Sequence, residues 1–461
     1  MTQALFTAAE LAAAVNGSWR NPPEPDKLWS LNTDSRTIQK NQCFIPIVGE
    51  RFNGHDFLDK LPEGVIALAQ KEYTVPDDLP VLQVDDTTLA YQQIARFHRQ
   101  KMPDIKLCAV TGSVGKTSVK EMLRAIFTYV AGEENVIYTL GNTNNQIGVP
   151  QNLLRLTPAT RYAVIEMGTN HHGEIAPLSA CALPDAAVIN TIAACHLENL
   201  GDLNGVAQEK SAIFSGLDSA VGSAVYPVDC AGHDIIEQAA QPYKKLQFGS
   251  LASADVSAEY IAGSLDGSTV KLNFANSGES FTFTWQLTGR HQAANAAAAA
   301  AVALALQIAP ADIAQGLSRT TLPGQRMNSI KVNSTLWIND AYNANPHSMK
   351  SSLNCIKENH TRGNLLLVLG DMLELGPDEI AYHREIVEFV LENFPAESTR
   401  LFLLGKRFAQ AAAAATPHLL PVKSFAGLDE LQAALKAMNK DHLTIFLKSS
   451  NSIGLSKVEP C

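Results

Sequence analysis

Apolar positions along the chain change their spacing three times. From Met1 to about Val84 they fall in short runs separated by turn-rich links, Asn21-Pro-Pro-Glu-Pro25 and Val75-Pro-Asp-Asp-Leu-Pro80, a pattern of short strands. A short amphipathic helix is expected between Met1 and Gly17. Helical spacing over Thr87–Arg99 then leads into an apolar strand at Lys106–Val110. From there to about Leu322 a strand–loop–helix alternation repeats, as in a doubly wound, mostly parallel sheet. Ala163–Ile165 and Ala186–Ile189 are two of its strands. Val270–Phe274 and Phe281–Trp285 alternate apolar with polar residues across Asn276-Ser-Gly-Glu-Ser280, which predicts an appended antiparallel hairpin. Leu322-Pro-Gly324 reads as a hinge. Beyond it Leu336–Ile338, Leu365–Leu369, Leu401–Leu404 and Thr444–Leu447 are strand-like, with helical patterns between most of them. The expectation is an α/β protein of three domains: a small N-terminal α/β domain over 1–84, a central sheet domain over 85–321 and a Rossmann-like α/β domain over 322–461.

Composition agrees with several cores. The 461 residues are 46% hydrophobic and 18% charged, which excludes wholesale disorder. The net charge of −10 comes without any block of like charges, so a nucleic-acid partner is not expected. Cys43, Cys108, Cys181, Cys195, Cys230, Cys355 and Cys461 include no C-x-x-C pair and read as reduced thiols of a cytoplasmic protein. The N-terminus lacks the basic start of a signal peptide. The longest apolar stretch, about Ala293 to Leu306, contains Asn295 and is too short to span a bilayer. No membrane insertion is expected.

The chemistry begins at Ala109-Val-Thr-Gly-Ser-Val-Gly-Lys-Thr117, which follows a strand and opens a helix whose Val119, Met122, Leu123, Ile126 and Phe127 share one face. Such a loop cradles phosphates. Gly112 and Gly115 let backbone N–H groups approach oxygens, Lys116 reaches the terminal phosphates and the Thr117 hydroxyl suits Mg²⁺. The nucleotide contacts are expected from Thr111, Gly112, Ser113, Val114, Gly115, Lys116, Thr117 and Ser118. Val110 stands where a general P-loop has glycine.

Two further groups belong to the same sheet edge. Glu166 ends the strand Ala163–Ile165, and His196 follows Ala186–Ile189 by a short loop; ligands of open parallel sheets bind beyond the carboxyl ends of the strands. A carboxylate and an imidazole there suit a second Mg²⁺. Lys210 lies within the apolar stripe Val206, Ile213, Phe214 and Leu217. Either its ammonium snorkels outward, or it is a buried amine with a lowered pKa able to take up CO₂ as a carbamate.

Thr111-Gly-Ser-Val-Gly-Lys-Thr117 resembles the shortened P-loop of the Mur ligase family, and the resemblance covers nearly the whole chain. Lys210-Ser-Ala-Ile-Phe214 is similar to the segment that carries the family's carbamylated lysine. Gly141-Asn-Thr-Asn-Asn-Gln-Ile-Gly-Val-Pro150 resembles the loop beside the sugar–peptide substrate, implying Asn142, Thr143, Asn144 and Asn145 as substrate contacts. Gly289-Arg-His-Gln-Ala-Ala-Asn295 resembles a segment near the nucleotide, and Gly324-Gln-Arg326 places an arginine where the family uses one on ATP phosphates. Asp340-Ala-Tyr-Asn-Ala-Asn-Pro346 and Leu369-Gly-Asp-Met-Leu-Glu-Leu-Gly376 resemble the branch that adds D-alanyl-D-alanine, implying nucleotide contacts at Asn295, Arg326, Asp340, Tyr342 and Asn345. Asn32-Thr-Asp-Ser-Arg36 resembles a uridine-side motif, implying Asp34, Ser35 and Arg36. The D-N-P-R motif of the sister ligase for the third amino acid does not occur. Two departures stand out: Asn53 in Phe52-Asn-Gly-His55 where the family usually has Asp, and Lys448-Ser-Ser-Asn451 in place of K-G-S-R.

The resemblance implies an ATP-dependent amide ligase joining D-alanyl-D-alanine to a UDP-N-acetylmuramoyl-tripeptide, working as a monomer. Its implied cofactors are ATP, two Mg²⁺ ions and a carbamylated Lys210. Lys116, Glu166, His196, Lys210 and Arg326 are its catalytic set, with Thr117, Glu166, His196 and Lys210 on metal. A related ligase of folylpolyglutamate type, or a P-loop ATPase without ligation, are the competing readings.

Overall fold

A computed structural model of the chain describes residues 5–49, 51–324, 326–360, 363–415, 418–438 and 440–460. Cys461, one of the seven cysteines, and Gln325 of the Gly324-Gln-Arg326 motif lie outside the described residues. The expected N-terminal helix is Ala8–Val15. Thr7 and Glu10 start it with a reciprocal capping box, and Asn16 in the left-handed region ends it. A five-stranded sheet follows, in the order Ser18–Arg20, Val81–Val84, Ile66–Gln70, Gln42–Phe44, Ser30–Asn32.

Helix Thr87–Gln100, capped by the Asp86 carboxylate on the Leu89 N–H at 2.8 Å, leads to the central sheet. In spatial order its parallel strands are Val136–Tyr138, Tyr162–Glu166, Lys106–Thr111, Ala186–Ile189, Ser223–Pro227, Lys244–Gly249 and Val256–Ser264. Gly267–Phe274 and Glu279–Trp285 then run antiparallel. The expected hairpin is therefore the outer part of a three-stranded meander. Its first strand, Val256–Ser264, was not legible because only Val256 and Ala258 in it are buried.

Period-2 alternation decides where the cores sit. Leu107, Ala109 and Ile165 face one side of the central sheet and share a continuous apolar cluster with Ile94, Leu31, Leu11 and Phe6. A boundary at residue 84 thus divides sheets but not the core. Val110, Val164 and Val188 face the other side, against Ile126 and the alanines Ala296–Ala301 of helix Arg290–Ala305. Small side chains let that helix lie close to the sheet.

The last sheet runs Asn328–Val332, Thr335–Asn339, Leu443–Lys448, Asn364–Gly370, Thr399–Leu404, Val422–Phe425, antiparallel only in its first pair. Its two edge strands, mostly exposed, carry little apolar pattern. Each face has an apolar cluster, with Leu365, Leu367 and Leu369 on one side and Leu366 and Val368 on the other. Among the described residues no helix is long and apolar enough to cross a membrane.

Candidate active site

Strand Lys106–Thr111 has strand Tyr162–Glu166 on one side and Ala186–Ile189 on the other. The chain leaves it in opposite directions there, and such a switch point opens a crevice at the carboxyl edge. The crevice holds a cavity of about 1340 Å³ shared with the C-terminal domain, lined among others by Lys116, Glu166, His196 and Arg326.

The loop from Gly112 turns into helix Lys116–Ala131 at Gly115, whose φ is +81°. A Cβ at Gly115 would stand 2.2 Å from Asn190 Nδ2 and 2.5 Å from Asn295 Oδ1; only glycine fits. Asn190 Nδ2 donates to the Val114 carbonyl at 2.9 Å and to Asn295 Oδ1 at 2.8 Å. Asn295 therefore props the loop through Asn190, a residue the sequence reading passed over although it directly follows an apolar strand, as Glu166 does. Ser113 exchanges hydrogen bonds with the backbone of Ala193 at 2.9 and 3.0 Å, tying the loop to the segment that carries His196. Lys116 Nζ donates to the Gly112 carbonyl at 2.7 Å.

Ser113, Val114, Gly115, Lys116, Thr117 and Ser118 line the cavity. Thr111 and Gly112 are not among its lining residues. Thr111 is fully buried and its hydroxyl donates to the Met167 carbonyl at 2.9 Å, so its side chain serves the strand end.

Glu166, 3% exposed, accepts from the Thr117 hydroxyl at 3.1 Å and from Asn144 Nδ2 at 2.9 Å. Arg326 Nη2 donates to Thr117 Oγ1 at 3.1 Å, and its guanidinium carbon lies 3.9 Å from the Tyr342 ring centroid. One hydroxyl thus joins the central domain's carboxylate to the next domain's arginine. His196 has φ +51°. Burial lowers its pKa, opposed by the Glu374 carboxylate and reinforced by Lys116 and Lys210. Its Nδ1 meets Glu374 Oε2 at 2.5 Å.

Lys210 does not snorkel: it is 1% exposed, near the end of helix Leu203–Ser211. The helix stops at Ser211 and Ile213 and Phe214 continue as a 3₁₀ turn, so the apolar stripe spans two elements. Burial pushes the amine down to about 8. The neighbouring Glu209 accepts the backbone N–H groups of Gly173, Glu174 and Ile175 at 2.6, 3.0 and 2.8 Å, at the start of helix Ile175–Ala182.

Asn142, Asn144 and Asn145 line the cavity. Thr143 does not: its hydroxyl donates to the Leu140 carbonyl at 2.7 Å and its backbone packs on Gly148. Asp340, Tyr342 and Asn345 reach the wall from the C-terminal domain. Asp34, Ser35 and Arg36 lie in the N-terminal domain outside the cavity. The Arg36 guanidinium is exposed and pairs with Asp34 at 2.8 Å, holding that carboxyl down at about 2.

Two segments match models of known families: residues 110–303 match the Mur ligase middle domain, and 325–451 the Mur ligase, glutamate ligase domain. The UDP-N-acetylmuramoyl-tripeptide–D-alanyl-D-alanine ligase of Bacillus subtilis is 35% identical over 460 residues, covering 98% of this chain and 97% of the relative. The chain belongs to the Mur ligase family. The enzyme of the same name from Escherichia coli is 35% identical over 456 residues, with 98% and 97% covered. A crystal structure of MurF from Acinetobacter baumannii superposes with a TM-score of 0.91 at 30% identity, covering 99% and 98% of the two chains.

The departures of this Mur ligase from the family pattern have structural explanations. Val110 lies inside the strand, fully buried, and does not line the cavity. Asn53 Oδ1 accepts the His55 N–H at 3.0 Å and meets His55 Nδ1 at 2.8 Å, acceptor work that an amide oxygen does as well as a carboxylate. In Lys448-Ser-Ser-Asn451 the departing positions are Ser449, whose hydroxyl donates to the Ser450 carbonyl at 3.0 Å, and Asn451, whose amide donates to the Tyr342 carbonyl at 2.9 Å. Lys448 and Ser450 bond to Asp340 Oδ2 and the Ala344 carbonyl at 2.6 and 3.2 Å. Lys448, Ser450 and Asn451 brace the 340–345 loop.

Proposed function

We propose that the chain joins D-alanyl-D-alanine to a UDP-N-acetylmuramoyl-tripeptide with ATP, releasing ADP and phosphate. The observation that carries this reading is the meeting of Lys116, Thr117, Glu166 and Arg326 from two domains around one cavity. A carboxylate is a poor electrophile toward an amine at neutral pH. Its oxygen therefore attacks the γ-phosphorus of ATP, the bond to the bridging β–γ oxygen breaks, and ADP leaves. The dipeptide amine then attacks the acyl carbon, the C–O bond to phosphate breaks, the amine loses its proton and phosphate departs. Charge gathers on the transferring oxygens, and Lys116 and Arg326 are placed to meet it.

The donor set fits Mg²⁺: the Thr117 hydroxyl and Glu166 carboxylate present hard oxygens 3.1 Å apart. Thr117, Glu166, His196 and Lys210 would hold two ions, which supply charge neutralisation on the phosphates when bound. Among the described residues no group of three or more His, Cys, Asp and Glu gathers as a preformed cage, so water and substrate oxygens would have to supply further ligands. Neutral Lys210 reacts with CO₂ to give a carbamate and a proton, turning an amine into an anionic oxygen donor. The 141–150 loop takes the peptide end of the UDP substrate and Asp34, Ser35 and Arg36 its uridine end. The three domains are 1–84, 85–321 and 322–461, with Leu322-Pro-Gly324 the hinge that lets Arg326 close. A cytoplasmic monomer remains the reading that the resemblance to the Mur ligase family supports.

A phosphate-release assay over a grid of UDP-muramoyl peptides and dipeptides tests this. Phosphate release should require both the tripeptide and D-alanyl-D-alanine. Turnover of ATP without any carboxylate acceptor would overturn it.

A further inference from the structure

His196 and Glu374 meet across the boundary between the central and C-terminal domains, at two points. Glu374 Oε2 lies 2.5 Å from His196 Nδ1, and the Glu374 carbonyl accepts the Leu197 N–H at 3.0 Å. A wandering surface ion pair would not carry a backbone hydrogen bond beside it. Both residues sit in the left-handed region, φ +51° and +62°, a conformation unfavourable for a non-glycine residue. The loop that delivers Glu374 is braced on every side. The Met372 N–H donates to His383 Nε2 at 2.9 Å, the Leu373 N–H to Ser450 Oγ at 3.0 Å, and the Ser450 N–H to the Asp371 carbonyl at 3.1 Å. Asp371 itself caps helix Lys406–Ala413, accepting the Phe408 and Arg407 N–H groups at 2.9 and 3.2 Å. A carboxylate only accepts, so the imidazole nitrogen facing Glu374 carries the proton and Nε2 is left bare.

We propose that Glu374 is a positioning residue for His196: the C-terminal domain, on seating, fixes the imidazole as the Nδ1–H tautomer with Nε2 free for a ligand. This extends the function proposed above, because His196 there holds metal. Carboxylates that orient ligating histidines act in this way. It also makes the site complete only in the seated arrangement, by the same domain approach that brings Arg326 to Thr117.

The test uses the full chain and the variants Glu374→Ala and Glu374→Gln. ¹⁵N-histidine NMR, with His196 assigned through His196→Gln, should show the Nδ1–H tautomer in the parent and in Glu374→Gln, whose amide oxygen still accepts. Glu374→Ala should shift toward the Nε2–H form. In parallel, Glu374→Ala should lower kcat about 10- to 100-fold, with the KM for the UDP substrate unchanged, and Glu374→Gln should recover most of it. An unchanged tautomer in Glu374→Ala overturns the proposal, whatever the kinetics. Equal losses in both variants with a lowered Tm would also overturn it, leaving Glu374 a structural contact. A parent chain that does not ligate removes the proposed function but leaves the tautomer shift readable, so the two failures are distinguishable.

Discussion

On the central-domain wall of the cavity, Lys116, Thr117 and Glu166 sit at the carboxyl edge of a parallel sheet and bond to groups of their own domain, Gly112, Glu166 and Asn144. On the facing wall, Asp340 and Asn345 of the C-terminal domain are engaged with that domain. Asp340 accepts from Met327 N–H at 3.1 Å, Ser352 Oγ at 2.6 Å and Lys448 Nζ at 2.6 Å. Asn345 caps helix Pro346–Asn359 through a capping box with Ser348, and Asp371 caps helix Lys406–Ala413. From this wall Arg326 and Glu374 cross the gap. Apart from Arg326, the reactive groups thus belong to one wall. The other is a stiff frame, and stiffness is what lets two long side chains arrive at fixed points.

The contrast is tested hardest at Lys210. Lys210→Ala should lower ligation about a thousandfold or more, above the loss from a single transition-state donor, and formate or acetate should restore part of it. Rescue by alkylamines alone would show that a cation was needed. The folded amine releases its proton at about 8 against 10.5 as the ordinary value. Bicarbonate should therefore stimulate activity more as pH rises toward 8. Between about 8 and 10.5 the unfolded chain holds the extra proton, so stability should rise with pH there. Lys210→Met should flatten that rise in thermal melts.

Arg326→Ala should cost about 10- to 1000-fold in kcat, while ATP binding to the substrate-free chain, measured calorimetrically, stays as it was. If binding collapses instead, the C-terminal wall contributes ground-state affinity and is more than a frame. Arg36→Ala acts on a third region outside the cavity. It should raise the KM for the UDP-tripeptide about tenfold, the scale of one charge-assisted hydrogen bond, and leave the KM for ATP alone. Equal changes in both would merge the two binding regions.

The difference between the walls also explains what the sequence could disclose. The P-loop, Glu166 and His196 were legible because a parallel strand's end is a fixed address: whatever follows the apolar run faces the crevice. Asn190 obeyed the same rule and was missed because an amide carries no charge to draw notice. Buried Lys210 was legible only as one of two outcomes, since a stripe of apolar spacing does not say whether a long side chain leaves it. On the C-terminal wall, motif resemblance pointed to residues whose partners, such as Lys448 for Asp340, are about a hundred positions away, and no local pattern reveals that pairing. Glu374 lay within a recognised motif, yet its partner belongs to another domain. Edge strands such as Asn328–Val332 were invisible because exposed backbone needs no apolar alternation.

The smallest expected effect separates frame from ligand most directly. Asn345 was expected on the nucleotide, and it does line the cavity. Its Oδ1, however, accepts the Ser348 N–H at 2.8 Å while its own N–H donates to Ser348 Oγ at 3.0 Å. An N-cap of this kind is worth about 1 kcal/mol. Asn345→Ala should lower stability by about that amount in urea melts, and Asn345→Asp, which keeps the cap acceptor, should restore it. A charge introduced beside ATP phosphates would repel them, so the aspartate also reports on proximity. If Asn345 only caps the helix, both variants keep the parent KM for ATP. If it touches the nucleotide, the aspartate raises that KM while leaving the melt unchanged, and the frame description of this wall fails at Asn345.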